Sequence, residues 1–207
     1  GVELAAWRAD PDREFLASRD SWFRPVQFAN GPDGALYVVD MYRQLIEGAA
    51  FVPRNALEAL DPSLGTNHGR IYRIVPQDYR RRPWPRLDKL DTHELVGLLA
   101  HPNGWHRDTA ARLLSERRDA AAIDPLTETA RNSDSPQARL LALSALQTFD
   151  ALRDDLLISS LDDASPRVRV HAIRLAELLA ADSAPLREAL FGRVADPDIR
   201  VRFQLAF

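Results

Sequence analysis

The 207-residue sequence contains no cysteine, which excludes disulfide bonds, thiolate metal sites, covalently attached haem c and a cysteine nucleophile. Lysine is nearly absent too, since Lys89 is the only one and the other basic residues are arginine. The formal net charge is −3, so the chain lacks the basic excess typical of nucleic-acid-binding proteins. No apolar run approaches the roughly 20 residues that span a bilayer, and we therefore predict no nucleic-acid partner and no membrane span.

The composition changes near residue 86. Glycine, proline and aromatic residues concentrate before this point, whereas alanine and leucine dominate after it. Residues 80–86 hold four arginines and two prolines, and the prolines exclude a helix interior. We predict a first domain over residues 1–79, a linker over 80–91 and a second domain over 92–207. The linker arginines form either a solvated connector or a patch for a partner.

The second part contains an internal repeat. Related helix openings occur at residues 103–107, 135–139, 165–169 and 196–200, each ending in an arginine. In these openings Ser or Asp is interpreted as the N-cap, and proline as the first helical residue, where its missing amide loses no hydrogen bond. The arginines recur every 30 to 32 residues: Arg107, Arg139, Arg169 and Arg200.

Each opening is preceded by a shorter apolar segment, so the repeating unit is helix, turn, helix. Helices of about 10 to 15 residues are marginal alone in water and must stack. Residues 92–207 are therefore predicted to form an all-α solenoid of about four helical pairs, with a protein partner bound by this part. The repeated arginines either line a binding surface or pair with neighbouring acids and hold the register of the repeats.

Residues 205–207 are apolar and fall inside the predicted second helix of the last repeat, with no C-cap signal. An apolar last turn would be exposed to water. The sequence therefore predicts a solenoid truncated at Phe207, with either a continuing parent protein or another surface covering this end.

The first part is predicted to be β-structured. Apolar runs at residues 26–29 and 35–39 flank turn residues that include Pro32 and the pair Asp33-Gly34, which is typical of a hairpin. A third strand is predicted at residues 70–75 and one helix near 55–60. The fold class is therefore α+β, a short antiparallel sheet followed by the helical solenoid. The sheet is either one propeller blade or a small sheet packed on the first helices.

Three motifs in order carry a family resemblance. Residues 21–26, 31–42 and 69–74 resemble the closing blade of the six-bladed propeller in soluble quinoprotein sugar dehydrogenases. The period and openings of the second part resemble HEAT repeats, and residues 101–114 resemble the first repeat of a family of large bacterial membrane-bound dehydrogenases. In that family the propeller is followed by HEAT-like repeats and often by a c-type cytochrome.

The resemblance implies a cofactor site. Arg24 stands where the quinoprotein dehydrogenases have an arginine that binds pyrroloquinoline quinone, and Trp22 replaces a second arginine, with an indole that could stack on a flat quinone. Alternatively, Trp22 is a core residue and Arg24 pairs with Asp20 or Asp40. The catalytic histidine of the family lies in an earlier blade, so no catalytic residue is assigned, and any haem c belongs to a separate module.

Other polar residues give no site. His68 is predicted to be a solvent-exposed loop residue, and His101 and His106 to be surface or packing residues. The acidic residues of the first part form no Ca²⁺-type ligand run, and no metal is assigned; these residues are Asp33, Asp40 and Asp61.

Two functions follow from these observations. The first is a segment of a quinoprotein-like sugar or alcohol dehydrogenase, periplasmic or associated with the cell envelope, linked to a c-type cytochrome, with the helices as docking scaffold. The isolated segment would then be inactive. The second is a non-catalytic protein-interaction scaffold, such as a subunit of an electron-transfer complex.

Overall fold

A computed structural model describes residues 5–46, 48–58, 60–61, 63–80 and 83–207. These residues divide into two compact units, Ala5–Trp84 and Pro85–Phe207. The division falls within the predicted linker 80–91, of which Arg81 and Arg82 lie outside the described residues. An antiparallel sheet is followed by a helical segment, which confirms the α+β prediction.

The first unit contains a three-stranded antiparallel sheet in the order β1-β2-β3. The strands lie at the predicted places: β1 Pro25–Asn30, β2 Leu36–Asp40 and β3 Arg70–Ile74. In the turn between β1 and β2, Gly34 has a φ of 79°, a conformation that favours glycine. Between β2 and β3 lie a 3₁₀ turn at Ala49–Phe51 and helix α1 at Arg54–Leu57, which is shorter than predicted.

The sheet has a thin core. Val38 and Asp40 of β2 are buried, whereas every residue of β1 is exposed. Large apolar side chains remain in contact with solvent on both outer strands, including Phe28 and Ile71. The central strand is thus the only one of the three with buried side chains.

The second unit consists of short helices joined by tight turns. Its bounds are α2 Thr92–Gly97, α3 Gly104–Arg117, α4 Ile123–Asn132, α5 Pro136–Thr148, α6 Asp154–Leu161, α7 Pro166–Ala176, α8 Ala184–Phe191 and α9 Ile199–Leu205. Short 3₁₀ turns lie at Leu87–Lys89, Leu98–Ala100 and Ala120–Ala122. Successive first helices (α2, α4, α6, α8) contact one another, as do successive second helices (α3, α5, α7, α9), so the repeats stack in chain order.

One continuous apolar core runs through the stack. It is built mainly from leucine and alanine on facing helices, and each fully buried leucine contributes about 1.5–3 kcal/mol. Members from successive repeats include Leu95, Leu114, Leu126, Leu146, Leu157 and Leu186. Because no single helix pair buries its own apolar face, each repeat depends on its neighbours.

The helix openings follow the predicted pattern of a Ser or Asp cap and a first proline in two repeats. They depart from it in the other two, and in the first of these α3 begins at Gly104 after the N-cap Asn103. Helices α5 and α7 begin with proline after the N-caps Ser135 and Ser165. In the last repeat the N-cap is Asp198, whose carboxylate accepts the Arg200 amide at 2.8 Å, so Pro197 precedes the cap. The repeat therefore aligns on the N-caps.

This alignment corrects one sequence prediction. The arginine four residues after the N-cap is Arg202 in the last repeat, equivalent to Arg107, Arg139 and Arg169. Arg200 was predicted to be that arginine, and the prediction is wrong, because its guanidinium instead binds the carboxylate of its own cap, Asp198, at 2.6 Å.

Each of the four equivalent arginines forms the same type of hydrogen bond. Each donates from Nη1 to the carbonyl oxygen six residues earlier, as in the 2.6 Å bond from Arg139 to Ser133. Two of them also bind the next repeat. Arg139 donates to both carboxylate oxygens of Asp163 at 2.7 and 2.8 Å, and Arg169 does the same to Asp196 at 2.9 and 2.8 Å. For these two arginines, the predicted pairing with neighbouring acids is confirmed.

The pair of Arg169 with Asp196 gives the first testable prediction. Both residues are buried, with 8% and 4% exposed, so removing one charge leaves the other uncompensated. We expect Asp196→Asn to lower the free energy of unfolding by about 3–5 kcal/mol, measured by urea denaturation. Glu116→Gln is the control, because it removes an exposed pair with Arg112 worth about 0.3–0.5 kcal/mol. Equal losses in the two variants would contradict this role.

The same carboxylate makes stability depend on pH. Hydrogen bonds from Arg169 hold the pKa of Asp196 below its usual value, although burial acts in the opposite direction. The stabilisation is therefore present above the unfolded-state pKa of about 4 and is lost as the pH falls through the lower folded-state value. We expect the stability difference between the wild type and Asp196→Asn, measured by urea denaturation, to shrink below about pH 4. A difference that stays constant into strong acid would contradict the assignment.

Candidate functional site

A surface groove follows the second helices of the repeats. Two adjoining depressions share Arg167, one reaching α3 and α5 and the other reaching α9. We call this surface the arginine groove and define it by the residues Arg107, Asp108, Gln137, Leu140, Arg167, Val170, Arg174, Arg200 and Phe203.

The groove arises from the repeat itself. Positions two residues after the N-cap supply Gln137, Arg167 and Arg200, and positions five after it supply Leu140 and Val170, with equivalents in the flanking repeats. Residues three apart lie on one face of a helix, so α5, α7 and α9 each add one polar and one apolar residue to the same surface, and position five of α3 adds Asp108. The signal was present in the sequence, but it became visible only after the repeats were aligned on their N-caps.

The arginines of the groove differ in how they are held. Arg167 is exposed and forms no hydrogen bond or ion pair within the described part of the chain. Arg174 donates from Nε to the side-chain oxygen of Gln204 at 2.7 Å, a neutral partner. Arg200 is neutralised by Asp198. In the middle of the groove, Arg167 and Arg174 therefore pair with no carboxylate in the described structure and lie beside apolar side chains, and Asp108 lines the depression that reaches α3 and α5.

Arg24 is the cofactor residue implied by the resemblance. Its side chain forms hydrogen bonds with backbone carbonyls of nearby residues. Its guanidinium donates to the carbonyls of Ser21 at 2.5 Å, Phe23 at 3.3 Å and Gln44 at 3.1 Å. These bonds use three of the five N–H donors of Arg24, so fewer donors are left for the carboxylates of pyrroloquinoline quinone. We derive no reaction step through the quinone.

Trp22 lies next to this loop. Its indole ring is 5.6 Å from the ring of Tyr42 and tilted by 55°, and its amide donates to Asp20 at 3.0 Å. It is partly buried. The role of Trp22 and Arg24 in cofactor binding stays a prediction.

Asp40 and Asp61 of the first unit accept hydrogen bonds from nearby backbone amides. One oxygen of Asp40 accepts the amides of Arg24 at 2.7 Å and Tyr42 at 2.9 Å. Asp61 accepts the amide of Ser63 at 2.8 Å.

Asp33 joins the hairpin turn to β3, because it accepts from the Arg73 guanidinium at 2.6 Å. Burial acts to raise the pKa of Asp33, but hydrogen bonds from the Ala35 amide, Arg73 and Tyr37 outweigh it and keep the pKa low.

The histidines also have local partners. His68 is exposed, as predicted, with its ring 6.3 Å from that of Tyr42. The rings of His101 and His106 lie 4.4 Å apart and His106 is buried, which makes it a packing residue.

His171 was not singled out from the sequence. Its Nε2 lies 2.8 Å from the hydroxyl of Ser144, and burial lowers the pKa of its ring, with a further contribution from Arg174. Ser144 also bonds the carbonyl of Leu140 at 3.1 Å, as helical serines often do. No carboxylate among the described contacts of His171 orients the ring, so the pair is structural.

The described residues form neither a cluster of metal ligands nor a membrane-spanning helix. Within the described ranges no group of three or more His, Asp or Glu residues could hold a metal ion. No helix found in those ranges has the length and apolar character needed to cross a membrane.

Comparison with known protein families gives a match for only the first part of the chain. A family model described as Domain of unknown function (DUF7133) matches residues 1–78. The match includes all three strands and α1, and none of the stacked repeats. No curated protein and no solved structure matches the chain.

The contacts of Arg24 give a prediction about the first unit. We expect Arg24→Gln to lower the unfolding free energy of this unit by about 1 kcal/mol, because three backbone carbonyls lose their donor and turn to water. Urea denaturation followed by tryptophan fluorescence measures the loss, and Arg19→Gln, an exposed arginine, is the control. Saturable fluorescence quenching by added pyrroloquinoline quinone that disappears in Arg24→Gln would contradict the backbone role and support the cofactor prediction.

Proposed function

We propose that the helical unit is a docking scaffold that binds an acidic, partly apolar segment of a partner protein in the arginine groove. The observation that carries this proposal is Arg167, an exposed arginine without a partner in the described structure, at the point where both depressions of the groove meet. An isolated arginine of this kind is solvated at little cost. A partner carboxylate would therefore be bound without first breaking an internal ion pair.

The chemistry of the groove defines the partner segment. Arg167 and Arg174 present planar forks that match carboxylates in two-pronged geometry. Leu140, Val170 and Phe203 offer apolar contact at the spacing of successive repeats. A segment that alternates acidic and apolar side chains satisfies both kinds of position at once.

The stacked architecture supports docking more than catalysis. The helices form a continuous core, so the groove is displayed on packed elements and its arginines are held at fixed spacing. The dehydrogenase activity, the quinone cofactor, the cytochrome partner and the periplasmic location implied by the resemblance stay predictions.

A charge reversal tests the scaffold proposal. The probe is a fluorescently labelled peptide that alternates aspartate with leucine and phenylalanine, and binding is followed by fluorescence anisotropy. We expect Arg167→Glu to weaken binding by about tenfold, since an attraction becomes a repulsion. Added salt is expected to weaken binding to the wild type.

Two controls make the outcome specific. Arg112→Glu reverses an exposed arginine on α3 that does not line the groove, and it is expected to bind the peptide as the wild type does. A peptide with asparagine in place of aspartate is expected to bind more weakly. Equal affinity for both peptides, or equal loss in both variants, would contradict the proposal.

A further inference from the structure

Exposed apolar side chains are concentrated at one end of the helical unit. From Leu87 to Glu177, a stretch described in full, no large apolar side chain is exposed. The helices beyond this point differ, since Phe191 is 74% and Phe207 84% exposed. Leu178, Val194 and Phe203 are exposed as well. The last repeat therefore exposes to solvent large apolar side chains of the kind that the earlier repeats bury.

Part of this surface forms a groove between α8 and α9. Its floor and walls are Leu190, Phe191, Val194 and Leu205, and Arg187 and Arg202 lie at its edge. The volume is about 410 Å³. This terminal groove shares no lining residue with the arginine groove, so the two surfaces can be tested separately.

Arg202 links the terminal groove to the repeat. Like its equivalents, it donates Nη1 to the carbonyl six residues earlier, that of Asp196. Arg139 and Arg169 use Nε and Nη2 for a carboxylate of the next repeat, which lies 24 or 27 residues further along the chain. Within the residues that the structure describes, Arg202 binds no carboxylate. It offers the same two donors to a partner.

We propose that the terminal groove docks a partner helical hairpin of the same kind as the repeats, with an apolar face and an aspartate shortly before its second helix. The aspartate accepts Nε and Nη2 of Arg202, as Asp196 accepts those of Arg169. The apolar face of the hairpin covers Phe191, Val194 and Leu205. This surface is distinct from the peptide-binding groove of the proposed function.

Charge complementarity favours this occupant over a second copy of the chain. The residues lining the terminal groove include two arginines and no acidic residue. Two such grooves placed face to face would bring guanidinium groups together without a counter-charge, which is unfavourable in an apolar contact. A hairpin with an aspartate supplies both the missing charge and the missing apolar surface.

The chain itself supplies the probe for a test. Arg202 corresponds to Arg139, so a copy of residues 145–181 joined after Phe207 places the copied Asp163 24 residues beyond Arg202, the spacing of the native pair. We expect the extended chain to unfold in one transition at a higher Tm than the 207-residue chain, and the added segment to resist proteolysis. An added segment that is digested at once and leaves Tm unchanged would overturn the proposal.

A double-mutant cycle tests the ion pair. In the extended chain, Arg202→Gln and the aspartate-to-asparagine change in the copy should each lower Tm by about 5 °C or more, because each leaves one charge without its partner. The two changes together should lower Tm by no more than either change alone. Arg167→Gln is the matched control and should shift Tm by less than about 1 °C. Additive losses at Arg202 and the copied aspartate would overturn the assigned contact.

Two further measurements on the 207-residue chain address other occupants. Sedimentation that reveals a dimer abolished by Phe191→Ser would assign the groove to a second copy. Binding to phosphatidylserine vesicles that is abolished by Arg202→Gln would assign it to a membrane surface. Either result would overturn the proposal, and neither bears on peptide binding at Arg167.

Discussion

The helical unit depends on an arginine that bonds a carbonyl of its own repeat and a carboxylate of the next. Arg169 shows the full arrangement, with one donor on the carbonyl of Asp163 and two on the carboxylate of Asp196. A buried charge is tolerated only when its hydrogen bonds are made, so the register between these repeats is held to the one that satisfies them. The bond between Arg169 and Asp196 adds to the core packing a geometric constraint, because its two parallel hydrogen bonds are made in one arrangement only.

Arginine and aspartate side chains stabilise different features in the two units. In the first unit Arg24 bonds nearby carbonyls and Asp40 accepts nearby amides, so both stabilise a loop beside the sheet. In the second unit the bonds of Arg139 and Arg169 with aspartate join residues that are 24 and 27 positions apart. A small sheet with one buried strand can order its loops this way without building a large core, whereas a stack of short helices needs links between repeats.

The sequence predicted the strands, the stacked helices and the arginine period, because each depends on a local pattern of apolar, capping and turn residues. It misplaced the fourth arginine for a specific reason. Asp196 and Asp198 flank Pro197, and both Arg200 and Arg202 follow, so two alignments satisfy the spacing. Only the start of α9 at Ile199 decides between these two alignments. The sequence also predicted an exposed apolar last turn and left open a binding surface lined by the repeated arginines. It did not predict which residues line the two grooves, since that depends on which side chains remain unpaired, a property of packing that spacing alone does not contain.

The repeats differ in the residues near the arginine that lies four positions after each N-cap, and these differences give the repeats different surfaces. The position two residues before the N-cap is aspartate at Asp163 and Asp196 but serine at Ser133, so Arg107 has no carboxylate of the second repeat to bind and lines the arginine groove instead. The position two residues after the cap is exposed at Gln137, Arg167 and Arg200, whereas Val170, at position five, packs against the core. Only the first of these positions is therefore separate from the interactions that hold the stack. Under the docking proposal, a substitution at Arg167 changes recognition while the register set by Arg169, two residues away, is kept.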